Sequence, residues 1–339
     1  MRDCPMLASD SNFMKRLSLL NCQQSEMDEN LLKLEMDLQL PKLKMHEHVP
    51  KLEMDEPLPK LELDEHLLKV EFDEHLPKLP HFKKSTSMYL VLLDLSNCQQ
   101  LKRIPDFDEV PNLIKLILED CQKLSQIHST LGRLKHLVSL NFKGCVSLQR
   151  LSHSMGLKSL QTFILSGCSN LKLFAEIRED MDNVSQLHLD GTAIMNLPIS
   201  MQHLKDLTLL NLRGCKNLLT VPHVLCSITS LKFLYLSGCS QIDQLPANLG
   251  CLVNLIGLDA SDTSISEIPQ SIGFLKKLKV LYLYGCGLVE EATPCDFGNL
   301  SSLQRLDLSE NNFVTIPESI FQLSKLRELC LLRCQKLQS

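Results

Sequence analysis

Residues 231–246 read Leu231-Lys-Phe-Leu-Tyr-Leu-Ser-Gly-Cys-Ser-Gln-Ile-Asp-Gln-Leu-Pro246, and the same pattern recurs along most of this 339-residue chain. Leucine occupies the first, fourth and sixth positions of the segment, and a cysteine follows three residues after the last of them. The pattern occurs eleven times at steps of 23 to 25 residues. Its opening residues are Leu90, Leu113, Leu137, Leu160, Val184, Leu207, Leu231, Leu255, Leu278, Leu303 and Leu326.

A fixed period of this length with this leucine spacing predicts a leucine-rich-repeat solenoid, in which each unit is a strand followed by a helical or irregular return segment. One unit has only half of a core, so it must bury its leucines against its neighbours. We therefore predict an α/β fold over residues 89–339. It is a curved horseshoe of about eleven repeats with one parallel β-sheet on its concave face.

Successive side chains of a strand point to opposite faces of the sheet. The unit that begins at Leu231 therefore directs Leu234 and Leu236 into the core and Phe233 and Tyr235 outward. The outward positions of all units line the concave surface, which favours a binding scaffold over a catalytic site.

The outward positions between Arg213 and Arg305 have an unusual composition. Three of the four tyrosines of the chain fall on them, and aromatic residues and arginine are enriched at binding hot spots. We predict a protein-binding patch, called the face patch below. In it the small residues Gly257 and Asp259 lie between two groups of exposed aromatic side chains. An alternative is that aromatic residues are present only because they favour strands. The face patch consists of Arg213, Phe233, Tyr235, Asp259, Tyr282, Tyr284 and Arg305.

Eight of the fourteen cysteines occupy one position of the repeat and are predicted to form a ladder of small buried groups. Cysteine packs as a small hydrophobic residue with a weak S–H donor. We interpret these residues, called the thiol ladder below, as reduced and structural, which is typical of the cytoplasm or the nucleus. The thiol ladder consists of Cys98, Cys121, Cys145, Cys168, Cys215, Cys239, Cys286 and Cys334.

The net charge of −5 is carried entirely by the residues before Tyr89, and the repeat region has 23 charged residues of each sign. Neither part has the basic excess of a nucleic-acid-binding surface. No apolar run approaches the roughly 20 residues that span a bilayer, and the mixed-charge N-terminus does not resemble a secretory signal. We predict no nucleic-acid partner, no membrane association and a cytoplasmic or nuclear location.

Residues 1–88 form a low-complexity leader with a second repeat of nine residues, close to Pro-Lys-Leu-Glu-Met-Asp-Glu-His-Leu. Because a proline every nine residues interrupts a helix, we predict that the leader is largely disordered. His46-Glu47-His48 and the Asp-Glu-His triplets could bind a divalent metal. Metal ligands must converge in a fold, however, so a solvated, charged tail is the favoured interpretation.

Motifs of several large enzyme classes are missing from the sequence. It contains no Gly-x-x-x-x-Gly-Lys-Ser/Thr phosphate loop, no His-Glu-x-x-His metal motif and no Gly-x-Ser-x-Gly nucleophile elbow. We predict that the chain is not an enzyme, has no catalytic residues and binds no cofactor or metal.

The repeats resemble the leucine-rich-repeat region of plant intracellular immune receptors that carry a Toll-type domain and a nucleotide-binding switch. The stretches that carry the resemblance are Leu93-Asp-Leu-Ser-Asn-Cys98, Leu165-Ser-Gly-Cys168-Ser-Asn-Leu171, Leu236-Ser-Gly-Cys239-Ser and the threonine variant Leu189-Asp-Gly-Thr192-Ala-Ile194. The resemblance covers about residues 88–339. The Toll-type and nucleotide-binding domains are not in this sequence, and the nine-residue repeats depart from the family pattern.

The resemblance implies a non-enzymatic recognition module of plant defence that senses a pathogen effector or a guarded host protein on its concave face. Its partner would be that protein or an immune-receptor domain. Two alternatives stay open: a substrate-recognition adaptor of a ubiquitin ligase, and a truncated receptor fragment or decoy. The repeat pattern ends in mid-unit at Leu337-Gln-Ser339, from which we expect a fragment of a longer array.

Overall fold

A computed structural model describes residues 90–104, 107–108, 110–151, 154–178, 181–289, 292, 294–316 and 318–337. The predicted disordered leader, residues 1–88, lies outside these residues, and so do its nine-residue repeats and its histidine triplets.

The described residues form one open parallel sheet of eleven short strands and a separate pair of two-residue strands. Each strand of the large sheet begins two residues after the leucine-type residue that opens a predicted unit, so the eleven predicted repeats are confirmed. Along the sheet the order is β1-β2-β3-β5-β7-β8-β9-β10-β11-β12-β13, and β4 pairs with β6. The strands are β1 (Leu92–Asp94), β2 (Lys115–Ile117), β3 (Ser139–Asn141), β4 (Ser154–Met155), β5 (Thr162–Ile164), β6 (Glu176–Ile177), β7 (Gln186–His188), β8 (Leu209–Asn211), β9 (Phe233–Tyr235), β10 (Gly257–Asp259), β11 (Val280–Tyr282), β12 (Arg305–Asp307) and β13 (Glu328–Cys330).

The sheet is in register from one repeat to the next, because the strand of each unit is formed by the same three positions of the repeat. Phe233, Leu234 and Tyr235 pair with Gly257, Leu258 and Asp259. The central residue of each strand points into the core, and Leu234 and Leu258 are fully buried there. Burying one leucine contributes roughly 1.5–3 kcal/mol before the loss of chain entropy is counted, so the stacked leucines stabilise each unit against its neighbours.

The return segments contain 3-10 helices, which are the helical component of this α/β fold among the described residues. Short 3-10 helices suit a repeat that has only a few residues to reverse direction. Pro198, Pro222 and Pro269 lie at the N-cap with extended backbone angles, one residue before the first helical turn. The 3-10 helices whose bounds lie within the described residues are Ser129–Arg133, Ile199–His203, His223–Ser227, Leu249–Cys251, Gln270–Phe274, Cys295–Asn299 and Glu318–Gln322.

The predicted thiol ladder is confirmed as a column of free, mostly buried cysteines beside the sheet. Cys239 is fully buried, and its thiol donates a hydrogen bond to the Leu212 carbonyl of the preceding repeat at 3.1 Å. Cys145 makes the same bond to the carbonyl of Leu118 at 3.0 Å. The weak S–H donor therefore satisfies a buried backbone acceptor in unit after unit.

Asn311 occupies the position of the thiol ladder in the repeat that begins at Leu303. Its amide nitrogen donates to the Leu283 carbonyl at 2.8 Å, which is the bond that cysteine makes elsewhere. Its amide oxygen also accepts from the backbone of Leu288 at 2.9 Å. The sequence pattern did not single out Asn311, although its spacing from Leu303 matches that of the cysteines.

Candidate protein-binding surface on the sheet

The first and third residues of each strand point away from the core and form a surface that we call the outer face. On this face Tyr235, Asp259, Tyr282 and Asp307 occupy neighbouring positions on β9, β10, β11 and β12. Adjacent strands lie about 4.8 Å apart, so side chains in such a row are in mutual reach. Three members of the face patch, Tyr235, Asp259 and Tyr282, thus lie in one row, and Phe233 and Arg305 are the first residues of β9 and β12.

Arg213 connects three consecutive repeats. Its guanidinium carbon lies 4.2 Å from the centre of the Tyr235 ring, and its Nη2 and Nε atoms donate to Asp259 Oδ2 at 3.2 and 3.3 Å. Asp259 lies 46 residues along the chain from Arg213, which is two repeats. The planar guanidinium therefore stacks on the aromatic ring of one strand and binds the carboxylate of the next.

Local hydrogen bonds fix the backbone at the ends of these strands. The backbone N–H of Arg213 donates to Asn211 Oδ1 at 3.1 Å, and that of Ser261 donates to Asp259 Oδ1 at 3.2 Å. Asp307 accepts from the backbone of Ser309 in the same way at 2.9 Å. Asn and Asp side chains favour this turn because they can accept from the backbone two residues on.

The prediction of exposed aromatic side chains is wrong for three members of the face patch, and Asp259 between them is buried as well. The exposed fractions of Phe233, Tyr235, Asp259 and Tyr282 are 0%, 2%, 3% and 6%. Some neighbouring outward side chains contact one another: the rings of Phe233 and Tyr235 have centroids 6.2 Å apart, and the guanidinium of Arg213 lies over Tyr235. Leu209 and Val280, two apolar outward residues that the prediction omitted, are also buried.

The remaining members of the face patch keep accessible surface. Arg213, Tyr284 and Arg305 are half-buried. Arg305 Nε lies 3.0 Å from Glu328 Oε2, and 24% and 39% of these two side chains are exposed. An ion pair with this much solvent contact contributes little to stability, so both side chains are available to rearrange against a partner.

Burial changes the acid–base properties of the outer face. Removal from water raises the pKa of the Asp259 carboxyl above its usual range, while the Arg213 guanidinium opposes that increase. Burial also raises the pKa of Asp307, with hydrogen bonds from Ser309 opposing the increase. The pKa of the Tyr282 hydroxyl is raised for the same reason, burial. Sequence reasoning missed Asp307 as a functional candidate, because nothing in the sequence around it distinguishes it from an ordinary surface aspartate.

The described residues contain no cluster of three or more histidine, cysteine or acidic side chains that could hold a metal ion. Among the helices of the same residues, none is long and apolar enough to cross a bilayer.

The repeated strands, the buried leucine column and the outer face define a leucine-rich-repeat array. A family model described as disease resistance protein RPS4B-like, leucine-rich repeats, matches residues 156–339. That match covers more than half of the chain, and the chain belongs to this family. The resemblance to the repeat region of plant immune receptors is thereby confirmed.

Two plant disease resistance proteins are similar over a short stretch. TMV resistance protein N of Nicotiana glutinosa is 43% identical over 67 residues, and disease resistance protein RPS4B of Arabidopsis thaliana is 38% identical over 69 residues. Each stretch is 20% of this chain and 6% of the relative. The chain therefore matches only a small part of these much longer proteins.

Solved structures show the same fold at low sequence identity. The leucine-rich-repeat domain of the type III effector XopL superposes with a TM-score of 0.51 at 21% identity, over 72% of this chain and 77% of that domain. The crystal structure of a TDR receptor gives a TM-score of 0.50 at 24% identity, over 74% of this chain and 44% of the receptor chain. These similarities show the fold alone.

Proposed function

We propose that this chain is a non-enzymatic recognition module of a plant disease resistance protein, and that it binds a pathogen effector or a guarded host protein. The binding surface is the outer face between β8 and β12. Family membership supports the setting in plant defence, and repeat arrays present extended binding surfaces.

The observation that carries this proposal is the arrangement of Arg213 on Tyr235 and Asp259. Arginine and tyrosine are hot-spot residues, and a guanidinium already held in place loses less conformational freedom when a partner binds. Tyr284 and Arg305 add half-buried surface beside it. A partner can therefore dock on a preformed surface and contact the side chains of Arg213, Tyr284 and Arg305.

The test is affinity capture by the full chain from infected and healthy plant tissue. The face variant combines Tyr284→Ser with Arg305→Ala, because both side chains keep accessible surface and neither is a core residue. We expect the wild-type chain to retain a pathogen protein, a host protein or an immune-receptor domain, and the face variant to lose it. Circular dichroism of both chains verifies that the variant folds.

A matched control changes one aromatic and one cationic residue on the return side of the array. Phe274 is 66% exposed and Lys277 is exposed, so Phe274→Ser with Lys277→Ala removes the same chemistry from another surface. Equal capture by the face variant and this control would exclude the outer face as the docking surface. Recovery of ubiquitin-ligase core subunits instead would favour the adaptor alternative.

A further inference from the structure

Two buried side-chain polar atoms in the described part of the chain lack a hydrogen-bond partner; one belongs to the outer face and the other lies just beyond the end of a strand. They are Ser261 Oγ and Asp307 Oδ2. Asp307 is the last residue of β12, and Ser261 follows the end of β10 by two residues. Buried polar groups are nearly always hydrogen-bonded, so an unpaired one is a candidate contact for another molecule.

The chemistry of Asp307 determines which kind of group can pair with its Oδ2 atom. Its Oδ1 atom accepts from the Ser309 backbone at 2.9 Å, whereas its Oδ2 atom has no donor. Only 1% of the residue is exposed, so bulk solvent has little access to that oxygen. An ionised carboxylate only accepts hydrogen bonds, and the missing group must therefore be a donor.

Both arginines of the face patch already have a carboxylate partner. Arg213 binds Asp259 at 3.2 Å, and Arg305 binds Glu328 at 3.0 Å. Among the residues that the structure describes, Asp307 therefore has no recorded ion pair. A buried charge without a counterion is costly, and a cation from another molecule would remove that cost.

The neighbours of Asp307 also favour a cation. Tyr282 is its register partner on β11, and an aromatic ring beside a carboxylate suits an ammonium or guanidinium group. The carboxylates of Asp259 and Glu310 lie close enough to raise the pKa of Asp307 further, after burial. Ser261 Oγ, on the other side of β11, has no well-formed hydrogen bond, and its side chain lies close enough to Asp259 to oppose the rise in the pKa of that carboxyl.

We infer that Asp307 binds a cationic side chain, a lysine ammonium or an arginine guanidinium, of the protein partner. This inference rests on the proposed function, which makes the partner a protein. It adds the partner's chemistry, which is a basic residue at Asp307. Because Asp307 is buried, binding requires the side chains around it to move aside.

Short peptides provide a probe that does not require the partner to be known. Acetyl-Gly-Arg-Gly-amide and acetyl-Gly-Lys-Gly-amide are titrated into the full chain by ligand-observed NMR, with acetyl-Gly-Gln-Gly-amide as the uncharged reference. We expect the cationic peptides to bind more tightly than the reference. Asp307→Asn, which preserves the shape of the side chain, should weaken their binding about tenfold or more, since a hydrogen bond to a charged group is lost. Asp243→Asn changes an exposed aspartate away from the strands and should have no effect.

The pH profile of the wild-type chain is a second measurement that needs no variant. Protonation removes the charge of Asp307, so affinity for the cationic peptides should fall as the pH is lowered through the folded-state pKa of Asp307. That pKa is raised by burial, which places the loss above the pH range of an ordinary aspartate. In Asp307→Asn the profile should be flatter. Other titratable or charged groups lie around Asp307 and can contribute to the pH profile. They are Tyr282, Asp259, Arg305, Glu310, Glu328, Cys330 and Cys334.

The outcomes separate this inference from the proposed function. If the cationic peptides bind no better than the reference, or bind equally well to Asp307→Asn, the inference is wrong and the capture experiment still decides the proposed function. If the peptides require Asp307 while the face variant still captures its partner, Asp307 binds cations, but both the proposed docking surface and the assignment of that cation to the partner are wrong.

Discussion

The residue before each position of the thiol ladder has a left-handed backbone, and it is usually glycine. Gly238 has a φ of 74° and Gly214 has a φ of 66°. The chain turns out of its strand there, and the Gly238 N–H donates to the Ser261 carbonyl of the next repeat at 2.9 Å. The cysteine that follows then points inward and donates to the previous repeat. Two successive residues thus connect three units.

Cys239→Ala should lower the free energy of unfolding by about 1–3 kcal/mol, through the lost sulfur contacts and the unpaired Leu212 carbonyl. The wild-type thiol is fully buried and donates to that carbonyl at 3.1 Å. Urea unfolding followed by circular dichroism measures the change. Cys251→Ala is the matched control, because Cys251 is exposed, and it should stay within about 0.5 kcal/mol of wild type. Equal effects of the two substitutions would contradict a structural role of the ladder.

The 3-10 helices of neighbouring repeats pack closely where a glycine removes the side chain between them. A Cβ atom on Gly250 would overlap the carbonyl oxygen of Ser271 and lie 3.0 Å from Cδ2 of Phe274. A Cβ on Gly298 would similarly meet the side chain of Gln322. The return side of the array therefore depends on glycine for space at these positions rather than for backbone freedom.

Gly250→Ala should destabilise the array by about 1–3 kcal/mol, because the added methyl group must push two 3-10 helices apart. Gly132 provides the matched control within the helix Ser129–Arg133: a Cβ there would meet no atom within 4 Å. Gly132→Ala should change the free energy of unfolding by no more than about 0.5 kcal/mol. Urea midpoints of the two variants give the comparison, and a neutral Gly250→Ala would show that the helices can separate without cost.

The strands could be predicted from the sequence because their determinants repeat. Leu234 and its equivalents recur at one period, so one unit fixes the position and the inward face of all the others. The pairing of Arg213 with Asp259 could not be predicted, because it spans two repeats and depends on side-chain reach. The burial of Tyr235 was missed for the same reason: periodicity assigns a residue to a face, but it does not show how neighbouring side chains pack on that face.

Hydrogen bonds between consecutive repeats hold the array together along its length. The sheet pairs, the turn N–H groups and the ladder thiols all connect one unit to the next. In such an array stability is close to a sum of unit and interface contributions. The buried thiols therefore report on the opening of individual units, and the exposed ones do not.

Thiol labelling of the native chain tests this organisation. Burial raises the pKa of Cys121, Cys145 and Cys168 to about 12, and each is fully buried. Because the thiolate is the reactive form, iodoacetamide near neutral pH should leave these three unmodified while it modifies Cys251, which is exposed.

Mass spectrometry of tryptic peptides, with and without urea, reads out each cysteine separately. In urea all of the described cysteines should become modified, and a reductant should change neither pattern, since these cysteines are free. Modification of Cys145 as fast as Cys251 in the native chain would mean that its repeat opens readily. A disulfide involving Cys145 would contradict the ladder itself, because its sulfur could then no longer donate to the Leu118 carbonyl.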